Sequence, residues 1–455
     1  MFATGCDKRR SLEMQFPEQG TPHEALMSRL RDAISLDADW RGGKIFSLVY
    51  FAGDDVAEVL KEAYTTAFYS NGLGPGAFKS LQKFESEVIA MTADLLNHPE
   101  AVGNMTSGGT ESILMAVKTA RDWARVERNI TRPRIVVPLT AHPAFDKAAH
   151  YLDVDIVHAS LREDLRADVS AMRESMDENT VLIAGSAPCY PFGVIDPIPE
   201  IAALAIERSI CCHVDACLGG YLLPFVERLG NEVSPWDFRV AGVTSISADL
   251  HKYGFSARGA STVLYRAPDL RRHQFFATSD WPGGLYGSPT LAGSRPGGAI
   301  AAAWAVLNYL GSDGYTRLAR VIMDTTRALV DGINAIPGLK ILGNPDMSVF
   351  AFTSETVDID VVADALSESG WHPDRQQKPA SLHCMVTPAH ETIVPQFLAD
   401  LRTAVERARE SGPAQGKAAM YGMLEKMQDR CAVRDVVLDS LDRLTRTRKD
   451  ASAGD

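Results

Sequence analysis

The chain is poor in cysteine, in long apolar runs and in positive charge. Seven cysteines in 455 residues are odd in number and lack paired metal-ligand spacing, so we expect free thiols in a reducing compartment and no metal site. The most apolar window, residues 299–310, is far shorter than the ~20 residues that span a bilayer, and no apolar stretch follows the charged start as it would in a secretory signal. A formal charge of −12 argues against nucleic acid as a partner. We therefore expect a soluble, cytoplasmic protein.

Short apolar, β-branched runs alternate with helical segments over the middle of the chain. This alternation predicts an α/β fold with a mostly parallel sheet covered by helices. The predicted strands are Arg134–Pro138, Val154–His158, Val181–Gly185, Cys211–Asp215, Val243–Ser247 and Ser261–Tyr265.

The length exceeds that of one ordinary domain, so we expect a large and a small domain. We predict an N-terminal segment over residues 1–75, a large domain over 76–315 and a small C-terminal α/β domain over 316–455. Strands in the small domain are expected at Ser348–Thr353 and Leu382–Thr387. Further helices are expected at Glu24–Ile34, near Gly298–Leu310 and at Val433–Arg448.

Two residues at the ends of apolar, strand-like runs suggest cofactor chemistry. Lys252 lies in the segment Ser245–Gly254, and Asp215 lies 37 residues upstream (252 − 215) in His213–Gly220. A lysine that forms a Schiff base and an aspartate that pairs with a pyridinium nitrogen are the protein groups that pyridoxal phosphate (PLP) needs. An isolated lysine is usually a solvated surface residue, but Lys252 lies between apolar segments and beside a glycine.

Two further segments could contact the same cofactor. Gly108 and Gly109 open a helical segment, where free backbone N–H groups and the helix dipole attract an anion, and Thr110 could add a hydroxyl. His142 follows the predicted strand Arg134–Pro138, and its flat ring could stack on a flat cofactor. Each signal alone is weak, because a Gly-Gly helix start and a structural histidine are both common.

In this order, the segments resemble the fold-type I PLP enzymes and, most closely, the sphingosine-1-phosphate lyase family. The resemblance covers about residues 38–310. The segments that carry it are Gly43–Tyr50, Phe84–Met91, Thr106–Ser112, His142–Ala148, His213–Gly220, Ser245–Gly254 and Thr290–Gly297.

The resemblance implies roles for individual residues. Lys252 would hold PLP as a Schiff base, Asp215 would pair with the ring nitrogen, and His142 and Cys217 would pack on the two ring faces. The full implied cofactor set is Gly109, Thr110, His142, Asp215, Cys217, His251, Lys252 and Ser288. Ser288 lies in the stretch Tyr286–Thr290, which resembles a loop that crosses to the neighbouring subunit's active site, so a homodimer is expected.

The implied reaction breaks the bond between the amine carbon and the hydroxyl carbon of a phosphorylated sphingoid base. The products would be a long-chain aldehyde and phosphoethanolamine. A base must take the hydroxyl proton and an acid must protonate the carbon that is left. The implied catalytic residues are Lys252, His142, Tyr50 and Tyr190, and the sequence leaves the identity of the base open among the lysine and the two tyrosines.

The chain departs from the family pattern near the expected substrate site. Gly74 and Phe192 stand where many relatives have histidine, and Arg258 stands where relatives usually have lysine. Arginine suits a phosphate because its planar fork binds two oxygens at once, so Arg258 is a predicted contact to the substrate phosphate. Asn71, in the stretch that contains Gly74, is the second predicted contact.

Two other functions remain compatible with the sequence. An amino-acid decarboxylase shares the core motifs and would release carbon dioxide and an amine. A non-catalytic relative could bind PLP or a phospholipid, although it would have no need to keep Lys252, Asp215 and His142 together.

Overall fold

The structure, a computed structural model, describes residues 16–410, 427 and 429–445. Three helices come first: α1 (His23–Ile34), α2 (Asp54–Thr66) and α3 (Lys79–Leu95). The second and third pack against a long helix near the middle of the chain. No side chain of α1 is buried, so this helix contributes nothing to the cores of its own chain.

The main sheet has seven strands, and its flanking helices alternate with them along the chain. The strands are β1 (Val102–Thr106), β2 (Arg134–Pro138), β3 (Asp155–Ala159), β4 (Thr180–Ser186), β5 (Cys211–Asp215), β6 (Ser245–Ala248) and β7 (Ser261–Tyr265). The intervening helices are α4 (Gly109–Glu127), α5 (Ala144–Leu152), α6 (Val169–Glu174), α7 (Ile198–Arg208) and α8 (Leu223–Arg228).

The strand order is β1-β7-β6-β5-β4-β2-β3. Strands β2 to β6 pair in parallel, and β7 is antiparallel to both of its neighbours. Every residue of β4 and β5 is buried, as expected for central strands with helices on both faces. The carboxyl ends of β4, β5 and β6 therefore meet at one edge of the sheet, where α/β folds bind ligands.

The predicted alternation of strands and helices is confirmed, with the bounds of three strands reproduced and those of the other three shifted by one or two residues. The strand β1 was not predicted. It is a short run that contains a glycine and an asparagine, so its composition carries no strand signal.

After the main sheet come α9 (Pro268–Arg272), a hairpin of β8 (Phe276–Thr278) and β9 (Tyr286–Ser288), and the long helix α10 (Gly297–Asn334). Non-helical dihedrals at Gly311 interrupt α10. Its first half packs in the large core around the main sheet, and its end contributes Leu329 and Ile333 to the small core. The predicted division at residue 315 falls inside this helix and stays a prediction.

The small core covers an antiparallel sheet of β10 (Leu339–Ile341), β11 (Val349–Ser354), β12 (Asp374–Gln376) and β13 (Ser381–Met385), in the order β10-β11-β13-β12. Helices α11 (Ile359–Glu368) and α12 (Val394–Glu410) pack together beside it. Phe46, from the N-terminal part, is fully buried in this core against His390 and Phe397. The last described element is α13 (Arg430–Thr445), so the end of the predicted helix at residues 446–448 lies outside the described residues. Among the described helices, none is both long and apolar enough to cross a membrane.

Candidate active site

A cavity of about 350 Å³ opens at the carboxyl ends of the central strands, beside the start of α4. Most of the residues predicted from the sequence meet there. Those that line it are Gly109, Thr110, His142, Tyr190, Asp215, Cys217, His251 and Lys252. Their positions follow from the sheet, because the strands that lead to these residues run in the same direction and end at this edge.

The Lys252 amine is held by a carboxylate that sequence analysis did not assign. Asp249, three residues earlier, places Oδ2 3.1 Å from the Lys252 Nζ and 3.6 Å from the His251 Nε2. Burial alone would lower the pKa of Lys252, but Asp249 raises it above its ordinary value. Lys252 is therefore an ammonium in the free protein. The signal for Asp249 was its place inside the Ser245–Gly254 motif, one turn before the lysine.

Asp215 is a buried carboxylate at the end of β5. Its Oδ1 accepts hydrogen bonds from the backbone N–H of Cys217 (3.1 Å) and from the Ser247 hydroxyl (3.4 Å). Burial would raise the pKa of Asp215, but His142, Cys217 and Lys252 lower it, and the resulting pKa lies below its ordinary value. An aspartate that stays ionised in a buried site can keep a ring nitrogen protonated.

A second buried group, His213, is linked to Asp215 through the hydroxyl of Ser247. His213, two residues earlier on β5, is within hydrogen-bond distance of the Ser245 hydroxyl (2.9 Å) and the Ser247 hydroxyl (3.1 Å). Burial lowers the pKa of His213 to about 4, so its ring is neutral and adds no charge beside the carboxylate. Ser247 thus links His213 to Asp215 and fixes the carboxylate's position.

The turn at the start of α4, residues 107–110, forms a cradle that has no room for a side chain at Gly109. A Cβ at Gly109 would lie 2.7 Å from the Cys217 Sγ and 2.8 Å from the Asp249 Oδ2. Glu111 accepts from the backbone N–H of Ser107 (2.7 Å), which secures the turn that precedes the helix. The free N–H groups of this first turn can face an anion.

Two histidines complete the cavity. The His251 Nδ1 accepts the backbone N–H of Ala260 (3.2 Å), so its neutral form carries the proton on Nε2, as a donor beside the cradle. The His142 Nδ1 accepts the backbone N–H of Ala144 (3.1 Å), which fixes its ring at the start of α5. Burial lowers the pKa of His142, so the ring is a neutral, flat surface.

These residues fit PLP. The Gly109 cradle matches a phosphate, Asp215 matches a ring nitrogen, and Lys252 matches the aldehyde. In addition, Asp249 lines the cavity, and its Oδ1 is buried without a hydrogen-bond partner among the described residues. The cavity therefore contains an acceptor that a bound group could satisfy.

Two predicted residues, Tyr50 and Arg258, do not line the cavity but contact each other. The Tyr50 hydroxyl donates to the Met385 sulfur at 3.1 Å, and the Arg258 guanidinium lies 5.5 Å from the centre of the Tyr50 ring. Burial raises the pKa of Tyr50 well above its ordinary value. Tyr190 lines the cavity directly, and its hydroxyl donates to the Asp374 Oδ2 at 3.1 Å. Asp374 belongs to the small sheet, and nothing in its sequence context suggested a role.

Two further predicted residues, Asn71 and Ser288, do not line the cavity within this chain. The Asn71 amide donates to the Ser294 hydroxyl (3.0 Å) and accepts the backbone N–H of Leu73 (2.9 Å). The Ser288 hydroxyl donates to the carbonyl of Thr290 (3.0 Å). Both side chains thus hold loops together, and their binding roles stay predictions, of which that of Ser288 depends on a second subunit.

The departure at position 192 has a structural explanation. Phe192 is buried in a small apolar cluster with Cys189, Val194, Leu342 and Ala351, between the loop after β4 and the small sheet. It packs as part of this contact and does not line the cavity.

Comparison with known proteins identifies the family. Residues 6–355 match the pyridoxal-dependent decarboxylase conserved domain. The chain is 43% identical to the sphingosine-1-phosphate lyase of Oryza sativa subsp. japonica, over 96% of this chain and 83% of that protein. The solved structure of the sphingosine-1-phosphate lyase of Burkholderia pseudomallei is 39% identical, covers 95% of this chain and 97% of its own, and superposes with a TM-score of 0.88.

A more distant structure extends the comparison of the fold. Glutamate decarboxylase from Lactobacillus brevis superposes with a TM-score of 0.77 at 19% identity, over 90% of this chain and 97% of that one. The predicted PLP fold is thereby confirmed. The chain belongs to the pyridoxal-dependent decarboxylase family and, within it, to the sphingosine-1-phosphate lyases.

Proposed function

We propose that this protein uses PLP to cleave phosphorylated sphingoid bases into a long-chain aldehyde and phosphoethanolamine. The observation that carries the proposal is the meeting of Lys252, Asp215, His142 and Gly109 around one cavity, in a chain that is 43% identical to a plant sphingosine-1-phosphate lyase. When bound, the cofactor supplies a sink for the electron pair of the carbon–carbon bond that breaks.

The chain's own residues prepare this site. Lys252 offers its amine for the cofactor's attachment, and Asp249 holds that amine in place at 3.1 Å. Asp215, ionised and buried, would hold a proton on the ring nitrogen. His142, neutral and anchored to the start of α5, would offer a flat surface to the cofactor ring. The first turn of α4 would bind the phosphate, and His251 would add a donor beside it.

Arg258 is the proposed contact to the substrate phosphate. Among the residues that the structure describes, no carboxylate lies within ion-pair distance of its guanidinium. A cation without a partner, next to Tyr50 and close to the charge of Asp249, favours a phosphorylated substrate. Its planar fork can donate two hydrogen bonds to one phosphate group.

We propose that the working unit is a homodimer. On α1, Leu26, Leu30 and Ile34 recur at helical spacing and are all exposed. The β8–β9 hairpin also exposes large apolar side chains, including Trp281 and Leu285. Apolar faces of this kind mark contact surfaces, and a second copy that covers them could bring Ser288 and Asn71 to the neighbouring site. Five buried free cysteines support a reducing, cytoplasmic location.

The test compares the wild type with Lys252→Ala. We expect the purified wild type to show the visible absorption of lysine-linked PLP and to release a fatty aldehyde from a phosphorylated sphingoid base. The variant should do neither. A yellow wild type that releases carbon dioxide and an amine from an amino acid, and no aldehyde, would identify a decarboxylase instead.

A further inference from the structure

The loop after β4, which carries Tyr190, is held by the small sheet. The Tyr190 ring stacks on the His383 ring, with centroids 4.2 Å apart and planes inclined by 20°. The Gln376 amide donates to the carbonyl of Pro191 at 3.0 Å, and the Tyr190 hydroxyl donates to the Asp374 Oδ2 at 3.1 Å. Strands β12 and β13 thus hold this tyrosine at the cavity.

The hydrogen bond to Asp374 sets the direction in which Tyr190 can move a proton. Its phenolic hydrogen is directed at a carboxylate, so the lone pairs of its oxygen are free for a donor in the cavity. A tyrosine oxygen in this state can accept a proton from a substrate hydroxyl while it passes its own hydrogen to Asp374.

Asp374 is suited to receive that hydrogen. Among the described residues, no lysine, arginine or histidine lies within ion-pair distance of its carboxylate, so protonation would break no ion pair. His383, opposite Asp374 across the strands, donates from Nε2 to the Tyr190 carbonyl at 2.8 Å. Its buried Nδ1 has no hydrogen-bond partner in the part of the chain that the structure describes. Burial lowers the pKa of His383 to about 4, so the ring is neutral near pH 7 and does not compensate the carboxylate's charge.

The other candidate bases are less suited. The Tyr50 hydroxyl donates to the thioether of Met385, a weak acceptor that cannot take up a proton. Lys252 is held as an ammonium by Asp249, which raises its pKa above the ordinary value. Tyr50 thus has no acceptor in the described part of the chain that could take up its proton, and the Lys252 amine already carries the proton that a base would have to accept.

We propose that Tyr190 is the base for the substrate hydroxyl and that Asp374 is its relay partner, which takes the phenolic proton as the carbon–carbon bond breaks. This inference rests on the proposed lyase function and deepens it. The hydroxyl proton moves to the Tyr190 oxygen, and the phenolic proton moves to the Asp374 Oδ2. The former O–H electron pair becomes the second carbon–oxygen bond of the aldehyde.

The relay is restored in the second half of the reaction. The electron pair of the broken bond remains with the amine carbon, which then needs one proton. Tyr190 delivers it, and Asp374 returns the phenolic proton to Tyr190. Over the whole cycle one proton has moved from the substrate oxygen to the amine carbon, and both side chains are back in their starting states.

The test uses the PLP-loaded full-length protein and three variants. Asp374→Asn keeps the size of the side chain but cannot take up a proton, and Asp374→Glu keeps the acid. Gln376→Leu is the matched control, because it removes the other side-chain contact between β12 and the same loop without touching the relay. For each we would measure kcat and KM for aldehyde release, and the absorbance change on binding an analogue that lacks the hydroxyl.

We expect kcat of Asp374→Asn to fall by about 100-fold, within the usual range for general acid–base groups. Its KM and its binding of the analogue should stay within about threefold of the wild type, Asp374→Glu should recover at least about tenfold of the lost rate, and Gln376→Leu should stay near the wild type. These four results together support the relay.

Other outcomes overturn it in distinguishable ways. If the wild type releases aldehyde and Asp374→Asn does so at a similar rate, the relay is wrong and the lyase function stands. If Gln376→Leu loses as much kcat as Asp374→Asn, the small sheet only supports the loop, and the relay is again wrong. If the wild type releases no aldehyde, the proposed function fails first and the relay fails with it.

Discussion

The contact between Lys252 and Asp249 predicts a strong energetic coupling in the cofactor-free protein. At 3.1 Å and an effective dielectric constant of about 20, two unit charges attract by roughly 5 kcal/mol, which is an upper bound because both groups have left water. The Asp249 side chain is only 2% exposed, so solvent screens the pair weakly. We expect a coupling of about 2–3 kcal/mol, the upper part of the range for residues in contact.

A double-mutant cycle measures this coupling. The free energy of unfolding in urea would be compared for the wild type, Asp249→Asn, Lys252→Met and the double variant, all without PLP and at neutral pH. Each single change should cost about 3 kcal/mol, because it leaves one buried group without its partner. The double variant should cost clearly less than the sum of the two single changes.

The sign of the pH dependence gives a second check on the same pair. The pKa of Lys252 is raised in the folded protein, so the pair's stabilisation is complete below the ordinary lysine pKa and is lost as pH rises through the raised one. The coupling should therefore persist at neutral pH. Strictly additive single costs at neutral pH would refute the reasoning, since they would show that the two side chains do not interact.

Three further substitutions have expected outcomes. Gly109→Ala should weaken PLP binding by about 5- to 150-fold in a cofactor titration, because overpacking of about 1–3 kcal/mol would follow from a Cβ 2.7 Å from the Cys217 sulfur; unchanged affinity would mean that the cradle has room. Gly193→Ala should lower the free energy of unfolding by about 3 kcal/mol or more in urea, because its φ is +68° and a Cβ would lie 1.7 Å from the Val349 carbonyl oxygen; a loss below about 1 kcal/mol would contradict this. Arg258→Met should raise KM for the phosphorylated substrate by roughly tenfold to a hundredfold and leave PLP affinity unchanged; an unchanged KM would remove Arg258 from the phosphate site.

Much of the large core could be predicted because its strands are apolar and end in recognisable motifs. The strands that lead to Asp215 and Lys252 are buried throughout, and apart from His213 and Asp215 they consist of small or apolar residues. Their parallel arrangement brings their ends together. Given that arrangement, Asp215 and Lys252 lie at one edge because each lies at or after the end of a parallel strand. Gly109 joins them because β1, which was not predicted, pairs with β7 and ends at the same edge.

The contribution of the small sheet could not be predicted from the sequence. Asp374 lies on a strand of three residues that is only partly buried, and it meets Tyr190 across 184 positions of sequence. A contact of this separation depends on how two cores pack, which periodicity does not encode. Asp249 was missed for a different reason, because a carboxylate within a motif has no pattern that distinguishes a partner of the lysine from a solvated residue.

The residue after Lys252 has a consequence for how ligands reach the site. The Tyr253 hydroxyl donates to the carbonyl of Val386 at 2.9 Å and accepts from the Ser348 hydroxyl at 2.7 Å, so both of its partners belong to the small sheet and its flanks. The small core therefore holds in place the backbone that carries Lys252. The two hydrogen bonds of Tyr253 would have to break if the two cores moved apart. We therefore expect substrate to enter between the loops around the cavity while the two cores stay together.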